Sequence, residues 1–514
     1  MKNIKIMKYL YLFMLLAFTI SCTDLEPVLY SDLTTANAYS TESDLNAALV
    51  GVYSSLGPGA GDAFLYRAGY FVAITDYACD MSYSPSSDIG HMSTSTYDPN
   101  NRYFGRTWKY IYKLIADANI LLSKIDDVDM DATKKNQIEG QARFLRALAY
   151  LDLTDQWGPV PLLTEPINPT DAFDMPLSPV SDVDAAMIAD CEFAIDNLPE
   201  QWPPELGLAR ATKGAAATIL AKVYLRAKNY NDAKTYIDMV LQLRDNGVYT
   251  LNPDYKDVFS GFNKVDMGMI FGILHEASLN GGEITNHFCA SDFPEVPGRW
   301  GYYAVNLDFW RTYDDLDPRK QFFDYNFEGY RARDETTTRG FYYLMPEPGQ
   351  TTPPNDTTKL MQKITTKKYS YEMIEQSYLD SRTNYVFRLA DVILLKAEVE
   401  NALTGPAAAL PYLNEIRSRA GAPLYGDVGF PIPASKEEMD DRILDERGWE
   451  LVFEFIRRPD LIRFGKWVEK TNNYLSGAGF NSVVTESMIH FPYPFIEEQS
   501  NQEMAAANSS RYAH

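Results

Sequence analysis

The stretch that decides the fold, residues 220–243, reads LAKVYLRAKNYNDAKTYIDMVLQL. It matches the tetratricopeptide pattern, a helix-turn-helix repeat of about 34 residues. Ala221 takes the position where the two helices make their tight contact, and Ala233 takes the small position on the second helix. Tyr224 and Tyr230 take the aromatic positions. Small residues are required where two helices approach closely, so this stretch predicts a packed helix pair.

A second window repeats the same spacing further along the chain. Ala397 and Ala409 lie 12 residues apart, as do Ala221 and Ala233. Ile416 stands where Val240 stands in the first window. Two windows in register indicate a mainly α fold built on a tetratricopeptide-like helical-repeat scaffold. Unrelated alanine-rich helix pairs are the alternative.

Two further helices are predicted between the N-terminus and the first window. The first carries an apolar stripe with steps of four and three residues: Trp108, Tyr112, Ile115, Asn119 and Leu122. The second runs from about Thr133 and ends before Gly158-Pro159, because glycine tolerates a left-handed cap and proline cannot continue a helix.

An acidic turn precedes the second of these helices. Asp127, Asp129 and Asp131 have the spacing of the first half of a calcium loop. The sixth position is Ala132 where such a loop needs glycine, and the closing acid, Glu139, comes one residue late. We therefore predict no metal here, and expect Asp131 to cap the helix that follows.

Composition changes along the chain and suggests four segments. Residues 1–21 form a signal peptide, and residues 22–250 form an N-terminal region with helix pairs. Residues 251–384 lose helical periodicity and are rich in loop-forming and aromatic residues, as in a functional loop region. Residues 385–514 are again helical. We expect residues 22–514 to form one compact unit.

The N-terminus predicts secretion and a lipid anchor. An apolar run of 12 residues, 9–20, follows a cationic start formed by Lys2, Lys5 and Lys8. A membrane-spanning helix needs about 20 residues, so this run is typical of a signal peptide. Its end resembles a lipobox, in which Cys22 would become the lipidated first residue. An ordinary signal peptide followed by a chance cysteine is the alternative.

Charge and cysteine content exclude several classes of protein. The chain carries a formal charge of −23, which becomes −26 once the three lysines of residues 1–21 are removed. Such a charge argues against nucleic acid and anionic lipid as partners, and disfavours sulfated or uronic-acid-rich glycans. With Cys22 lipidated, only Cys79, Cys191 and Cys289 remain, so one disulfide is the maximum.

Eight motifs occur in a fixed order, at 138–147 (IEGQARFLRA), 157–162 (WGPVPL), 212–216 (TKGAA), 388–398 (RLADVILLKAE), 413–421 (LNEIRSRAG), 446–451 (ERGWEL), 460–466 (DLIRFGK) and 492–494 (PYP). Together they resemble the SusD/RagB family, which has Pro-Ile-Pro at the last of these positions. Two departures concern Phe455, at a place where the family usually has a small residue, and the tail 505–514, which lacks the usual ending.

This resemblance implies a function. Members are outer-membrane lipoproteins that lack catalysis and cofactors, capture oligo- or polysaccharide, and deliver it to a SusC-like TonB-dependent transporter. Asp24 and Glu26, directly after Cys22, resemble the signal that directs such lipoproteins to the cell exterior. Some members are linked to peptides, so a peptide-binding role stays open.

The sequence contains no recognised zinc-protease, redox or serine-hydrolase motif. The five histidines have no zinc-protease spacing, and the chain has no Cys-x-x-Cys pair and no Gly-x-Ser-x-Gly elbow. Among 70 carboxylates, however, a glycosidase pair could lie anywhere, so a surface glycoside hydrolase remains the alternative.

Two charged groups near the C-terminal motifs are predicted to be structural. Glu446, Arg447, Glu450 and Glu454 fall at three- and four-residue steps, which favours ion pairs along one helix. Asp314, Asp317 and Arg319 suit a turn held by local hydrogen bonds.

The predicted ligand contacts are aromatic side chains in loops, because a flat, partly exposed ring can stack on the apolar face of a sugar. Trp300 and Tyr302 lie among glycine and proline with no helical period to bury them. Tyr83, Tyr97 and His91 lie in a second loop, residues 81–106, and the family resemblance implies that both regions contribute to the ligand surface.

We predict that Cys22→Ala releases the protein from the membrane fraction, because acyl chains on this residue would supply the stable anchor. Fractionation of cells that lack the neighbouring transporter provides the measurement. A variant that still sediments with membranes in those cells would show that the anchor lies elsewhere.

Overall fold

The computed structural model describes residues 39–57, 69–84, 87–168, 171, 174–203, 207, 209–259, 265–276, 287–288, 303–324, 329–330, 338–339, 363–366, 368–369 and 381–512. The structural statements that follow concern these residues.

Helices dominate the described chain. They are α1 Glu42–Ser54, α2 Gly69–Thr75, α3 Ser87–Ser93, α4 Arg102–Lys124, α5 Ala132–Trp157, α6 Val180–Asn197, α7 Lys213–Arg226, α8 Tyr230–Asp245, α9 Tyr255–Val258, α10 Leu307–Arg311, α11 Leu389–Leu403, α12 Pro406–Ala420, α13 Lys436–Glu450, α14 Arg457–Arg463, α15 Trp467–Gly477, α16 Phe495–Glu498 and α17 Gln502–Arg511. Short 3₁₀ helices cover Ile125–Asp127, Pro318–Phe322 and Glu486–Met488.

The strands are short. They are β1 Ser82–Tyr83, β2 Met269–Ile273, β3 Ala304–Asn306, β4 Phe323–Asp324, β5 Gly329–Tyr330, β6 Thr338–Arg339, β7 Lys363–Thr366 and β8 Asn384–Arg388. They form a four-stranded sheet in the order β1-β3-β7-β4 and the antiparallel pairs β2-β8 and β5-β6.

The two predicted helix pairs are confirmed. Helices α7 and α8 form the first pair, and Ala221 and Ala233 are fully buried in it. Helices α11 and α12 form the second pair, with Ala397 and Ala409 equally buried. In the first pair the Thr212 side chain caps α7 by accepting a hydrogen bond from the backbone of Ala215.

The two long N-terminal helices are also confirmed, as are the predicted bounds of the second. Helix α5 begins at Ala132 and ends at Trp157, and the Asp131 side chain caps it as predicted. Gly158 ends the helix with φ +76°, and a Cβ there would lie 2.8 Å from the ring of His490. On α4, Trp108, the first residue of the predicted stripe, is buried.

No disulfide joins the two cysteines that the structure describes. Cys79 and Cys191 are both buried free thiols, whereas Cys289 lies outside the described residues. No helix within the described ranges is both long and apolar enough to span a bilayer.

The core of the C-terminal region contains a buried ion network centred on Glu450. This carboxylate is fully buried and receives three guanidinium groups: Arg388 at 2.7 Å, Arg319 at 3.1 Å and Arg419. The neighbouring Glu446, one helical turn earlier, pairs with Arg319 at 2.7 Å. Because these arginines come from separate segments, the network joins the loop-rich region to two helices of the scaffold.

The prediction that Glu446, Arg447, Glu450 and Glu454 form ion pairs with one another along one helix is therefore wrong. Their role is structural, as predicted, but their partners lie on other segments. Arg447 pairs with Asp391 and Asp460, each at 2.7 Å, and both lie on other helices. Glu454 lies beyond the end of α13 and pairs with Lys368. A buried charged group needs a close partner to offset its loss of hydration. Here tertiary packing brings that partner from other segments of the chain.

The turn after α13 has an unusual backbone. Phe453 and Phe455 have φ of +60° and +64°, in the left-handed region that side chains other than glycine seldom adopt. Distant groups hold this turn: Tyr369 donates to the carbonyl of Phe453, and Asp76 accepts from the amide of Phe455 at 3.0 Å. A small residue adopts such a positive φ more easily than phenylalanine does, which is consistent with the small residue that the family usually has at position 455.

Arg319 makes the predicted local contact and also contacts a distant helix. Asp317 caps the 3₁₀ helix Pro318–Phe322 and binds the Arg319 guanidinium at 2.7 Å, as a local turn requires. The same guanidinium also reaches Glu446 and Glu450 on α13. The turn is thus one side of the buried network.

We predict that Glu450→Gln lowers the free energy of unfolding by about 3–5 kcal/mol at neutral pH, because buried Arg419 loses its carboxylate partner among the described residues and Arg319 and Arg388 each lose one of theirs. Urea denaturation provides the measurement. Glu437→Gln, at an exposed position in the first turn of the same helix, is the matched control and should change little.

The same comparison should depend on pH. Burial raises the pKa of the Glu450 carboxyl, but the three guanidinium groups overcome this effect and hold its pKa well below the usual value. A depressed pKa contributes stability above the unfolded value of about 4.3, and this contribution falls away as the pH drops towards the native pKa. The difference between wild type and Glu450→Gln should therefore shrink in acid; a constant difference would contradict this account.

Candidate functional site

A cavity of about 270 Å³ lies in the loop region that contains three of the predicted ligand residues. Its lining comprises His91, Thr96, Tyr97, Asp98, Asn100, Asn101 and Arg102. We call it the loop pocket. These residues run from His91, near the end of helix α3, to Arg102, the first residue of α4, so one short segment of chain builds the described wall.

Local hydrogen bonds fix the shape of this segment. Thr96 donates its backbone N–H to the carbonyl of His91 at 2.9 Å, and its hydroxyl bonds His91 Nδ1 at 2.9 Å. Ser95, with φ +54°, allows the chain to turn back in this way. Asp98 Oδ1 accepts from the amide of Asn100 at 2.7 Å. His91 itself is exposed, so its ring is available to a ligand.

The end of the segment is held by the helix that follows. The Asn101 side chain caps α4 by accepting from the amide of Tyr103 at 3.0 Å. Arg102 lies over the ring of Tyr103, 5.4 Å from its centroid. Amide, carboxylate, imidazole and guanidinium groups thus surround the loop pocket, which suits a ligand rich in hydroxyl groups.

Tyr97 does not offer the platform that its loop position predicted. Only 6% of the residue is exposed, and its ring packs edge-on against Phe104 at 5.5 Å and Phe491 at 5.2 Å. A ring this buried among other aromatics stabilises the core. The prediction of a partly exposed stacking platform at Tyr97 is corrected accordingly: the residue lines the loop pocket, but its ring packs into the core.

Tyr83 has a different environment. It lies on β1 and is half-buried, and its ring stacks on Phe480 with centroids 6.0 Å apart and an interplanar angle of 21°. A ring supported on one face and partly open to solvent is the arrangement that carbohydrate stacking requires. Its role as a ligand contact remains a prediction.

Trp300 and Tyr302 lie outside the described residues. The chain that follows them is described, and strand β3 pairs with β1 so that Ala304 lies opposite Tyr83. Tyr303 is buried between Tyr77 and Phe288, with ring centroids 5.1 Å away in both cases. The strand that follows Trp300 and Tyr302 in the chain is therefore hydrogen-bonded to the strand that carries Tyr83.

Several lining residues were missed by sequence reasoning. Thr96, Asp98, Asn100, Asn101 and Arg102 all line the loop pocket. The stretch Asp98-Pro99-Asn100-Asn101 before an amphipathic helix is a recognisable capping signal, and it could have identified Asn101. Nothing in the sequence shows that the same turn borders a cavity.

The chemistry of the pocket offers little support for hydrolysis. A glycosidase needs two carboxyl groups about 5–9.5 Å apart across the scissile bond. Among the described lining residues, Asp98 is the only carboxylate. The described chain also contains no cluster of three or more side chains suited to holding a metal ion.

Comparison with known proteins gives a consistent result. The model of the SusD family matches residues 226–505, and a second model, described as starch-binding associating with outer membrane, matches residues 27–225. A SusD-like protein, P25, from Formosa agariphila is 26% identical over 468 residues, covering 83% of this chain and 84% of the relative.

Solved structures share the fold. A laminarin-binding SusD-like protein superposes with a TM-score of 0.68 at 25% identity, covering 90% of this chain and 98% of its own. Surface glycan-binding protein A from Bacteroides thetaiotaomicron, in complex with laminarihexaose, superposes with a TM-score of 0.71 at 20% identity, covering 92% of this chain and 100% of its own.

Proposed function

This chain belongs to the SusD family, and from that premise we propose that it captures oligo- or polysaccharide at the cell surface and passes it to a transporter. The observation that supports capture is the loop pocket, a polar depression in the same loop segment as the half-buried ring of Tyr83. Hydrogen-bonding side chains and an aromatic face are the two elements that sugar recognition needs.

The ligand we propose is a neutral glycan. The chain is strongly acidic, with a formal charge of −23, which opposes the approach of sulfated or uronic-acid polymers. In the described lining, the carboxylate of Asp98 is balanced by the guanidinium of Arg102. Laminarin and laminarihexaose, named for two proteins of the same fold, are the first probes to test.

We further propose that binding is not accompanied by catalysis. A single carboxylate in the described lining cannot serve as both acid and nucleophile, so the pocket supports retention of the glycan and not its cleavage. A surface hydrolase would release shorter products from the probe polysaccharide, and chromatography of the incubated polymer distinguishes the two functions.

The proposed site has two aromatic contacts, Trp300 and Tyr83. We predict that removing either ring weakens glycan binding. Loss of the Trp300 ring returns roughly 50–80 Å² of stacked apolar area to water, worth about 1–2 kcal/mol at ~25 cal/mol per Å². Trp300→Ala should therefore lower affinity roughly five- to thirtyfold. Tyr83→Ala should act in the same direction. Isothermal titration calorimetry with laminarihexaose checks both.

Tyr236→Ala is the matched control for these substitutions. Tyr236 is a half-buried ring on the repeat helix α8, stacked on Tyr224 at 5.7 Å, in a different part of the fold. It should leave affinity unchanged. Equal affinity for all three variants would remove both rings from the site, and binding of a peptide library without glycan binding would favour the peptide alternative.

The partner we propose is a SusC-like TonB-dependent transporter in the outer membrane, with this chain tethered beside it through Cys22. Stacked helix pairs give an extended surface suited to holding another protein. A tether on the same membrane raises the effective concentration of the two, so modest contacts are enough.

Affinity capture of a tagged copy in mild detergent should therefore recover a much larger outer-membrane protein in near-equal amount. The control is the same tag on another surface lipoprotein. Recovery of this chain alone, while other outer-membrane complexes survive, would count against the partnership without affecting glycan binding.

A further inference from the structure

A second and larger cavity, of about 410 Å³, lies between the helical scaffold and the C-terminal region. Its walls come from helices α5 and α7, the first residue of α6, the end of strand β8, residues 454–465 and residues 489–490. We call it the scaffold cavity. It shares no residue with the loop pocket.

The charges in its wall are compensated. Arg226 pairs with Asp155 at 2.6 Å and also with Asp184. Lys222 pairs with Asp391 at 2.7 Å. A ligand carrying a net charge would therefore need to break an existing pair or remain uncompensated, which is costly in a partly enclosed site.

Arg463 completes the same pattern on the opposite wall. Its guanidinium binds Glu398 at 2.8 Å and Asp460 at 2.9 Å. Altogether the lining contains four acidic and four basic side chains: Asp152, Asp155, Glu454 and Asp460, with Lys222, Arg226, Lys228 and Arg463. The lining is neutral overall, although the chain carries a charge of −23.

Two polar atoms in lining residues have no hydrogen-bond partner within the described chain. They are Nε of Arg226 and Nδ1 of His490, and both are buried. Burial lowers the pKa of His490 to about 3, and neighbouring guanidinium groups act in the same direction, so the imidazole is neutral at physiological pH. Neither atom is solvent-accessible, so the rest of the lining sets the chemistry that a ligand would meet.

Apolar side chains form the rest of the wall. Phe387, Phe455 and Phe464 contribute rings, and Ile456 and Ile462 contribute aliphatic surface. A purely apolar ligand would cover the charged pairs of the wall without any polar contact, and a fully polar one would leave the apolar surface without a partner. Hydroxyl groups can both donate and accept, and they alternate with apolar C–H faces on a sugar or polyol ring.

We propose that the scaffold cavity is a second binding site, specific for a small neutral hydroxylated molecule such as a monosaccharide, a disaccharide or a cyclic polyol. Its size lies within the range of about 300–1,000 Å³ that small-molecule sites occupy. The site is separate from the glycan surface proposed above and does not depend on it.

The test uses saturation-transfer NMR with glucose, cellobiose and myo-inositol as neutral probes, and glucuronate and glucosamine as charged counterparts of glucose. Val180→Trp places a bulky side chain in the cavity wall from a half-buried position, and Ile462→Trp does so from another side. Val50→Trp, at a 58% exposed position on α1, is the matched control.

At least one neutral probe should bind to wild type, Val50→Trp and Tyr83→Ala alike. Both cavity variants should lower its affinity about tenfold or more while keeping their melting temperature and their affinity for laminarihexaose. Two substitutions at different walls guard against a variant that fails to fold. Neither charged counterpart should bind as tightly as glucose.

Three results would overturn the proposal. The first is neutral-probe binding that survives both cavity variants or is lost in Tyr83→Ala, because the probe would then occupy the loop pocket. The second is a preference for glucuronate or glucosamine, or no neutral binding at all. The third is loss of transporter capture in Val180→Trp without any saccharide effect, which would make the cavity a protein-docking site.

Discussion

The rest of the structure depends on the burial of the Glu450 carboxylate among three guanidinium groups. Removing such charges from water costs several kcal/mol for each ion, and only well-placed partners offset the loss. Arg319, Arg388 and Arg419 come from a 3₁₀ turn, a strand and the end of a helix. The carboxylate is therefore satisfied only when all three segments are in place, which makes the network a condition for correct assembly.

The turn that follows Glu450 extends this constraint to the ligand face. The carbonyl of Glu450 accepts from Tyr255, at 3.1 Å, and from Lys368, at 3.2 Å, and both donors come from the region with little regular structure. Asp76, near the start of the loop segment that builds the pocket, binds the amide of Phe455 in the same turn. Described residues of the loop-rich region, Tyr255 and Lys368, are thus joined to the helical scaffold by buried polar contacts, and Asp76 is joined to it in the same turn.

Local signals in the sequence predicted the scaffold, because helix pairs are specified by neighbours in the chain. The spacing of Ala221 and Ala233, the cap at Asp131 and the stop at Gly158 all act within about a dozen residues of the chain. The misjudged residues depend on contacts that no local pattern encodes. Tyr97 lies in a loop, yet Phe491 from the C-terminal region buries its ring. The partners of Arg447 could not be inferred for the same reason.

The distribution of charge connects the two cavities. A chain with 70 acidic and 47 basic residues repels anions at long range. Yet the described lining of the loop pocket pairs one carboxylate with one guanidinium, and the scaffold cavity balances four acids with four bases. The excess negative charge therefore lies outside both. Such an arrangement discourages acidic polymers at the surface while leaving concave sites that neither attract nor reject charge, so hydrogen bonding and apolar contact decide what binds there.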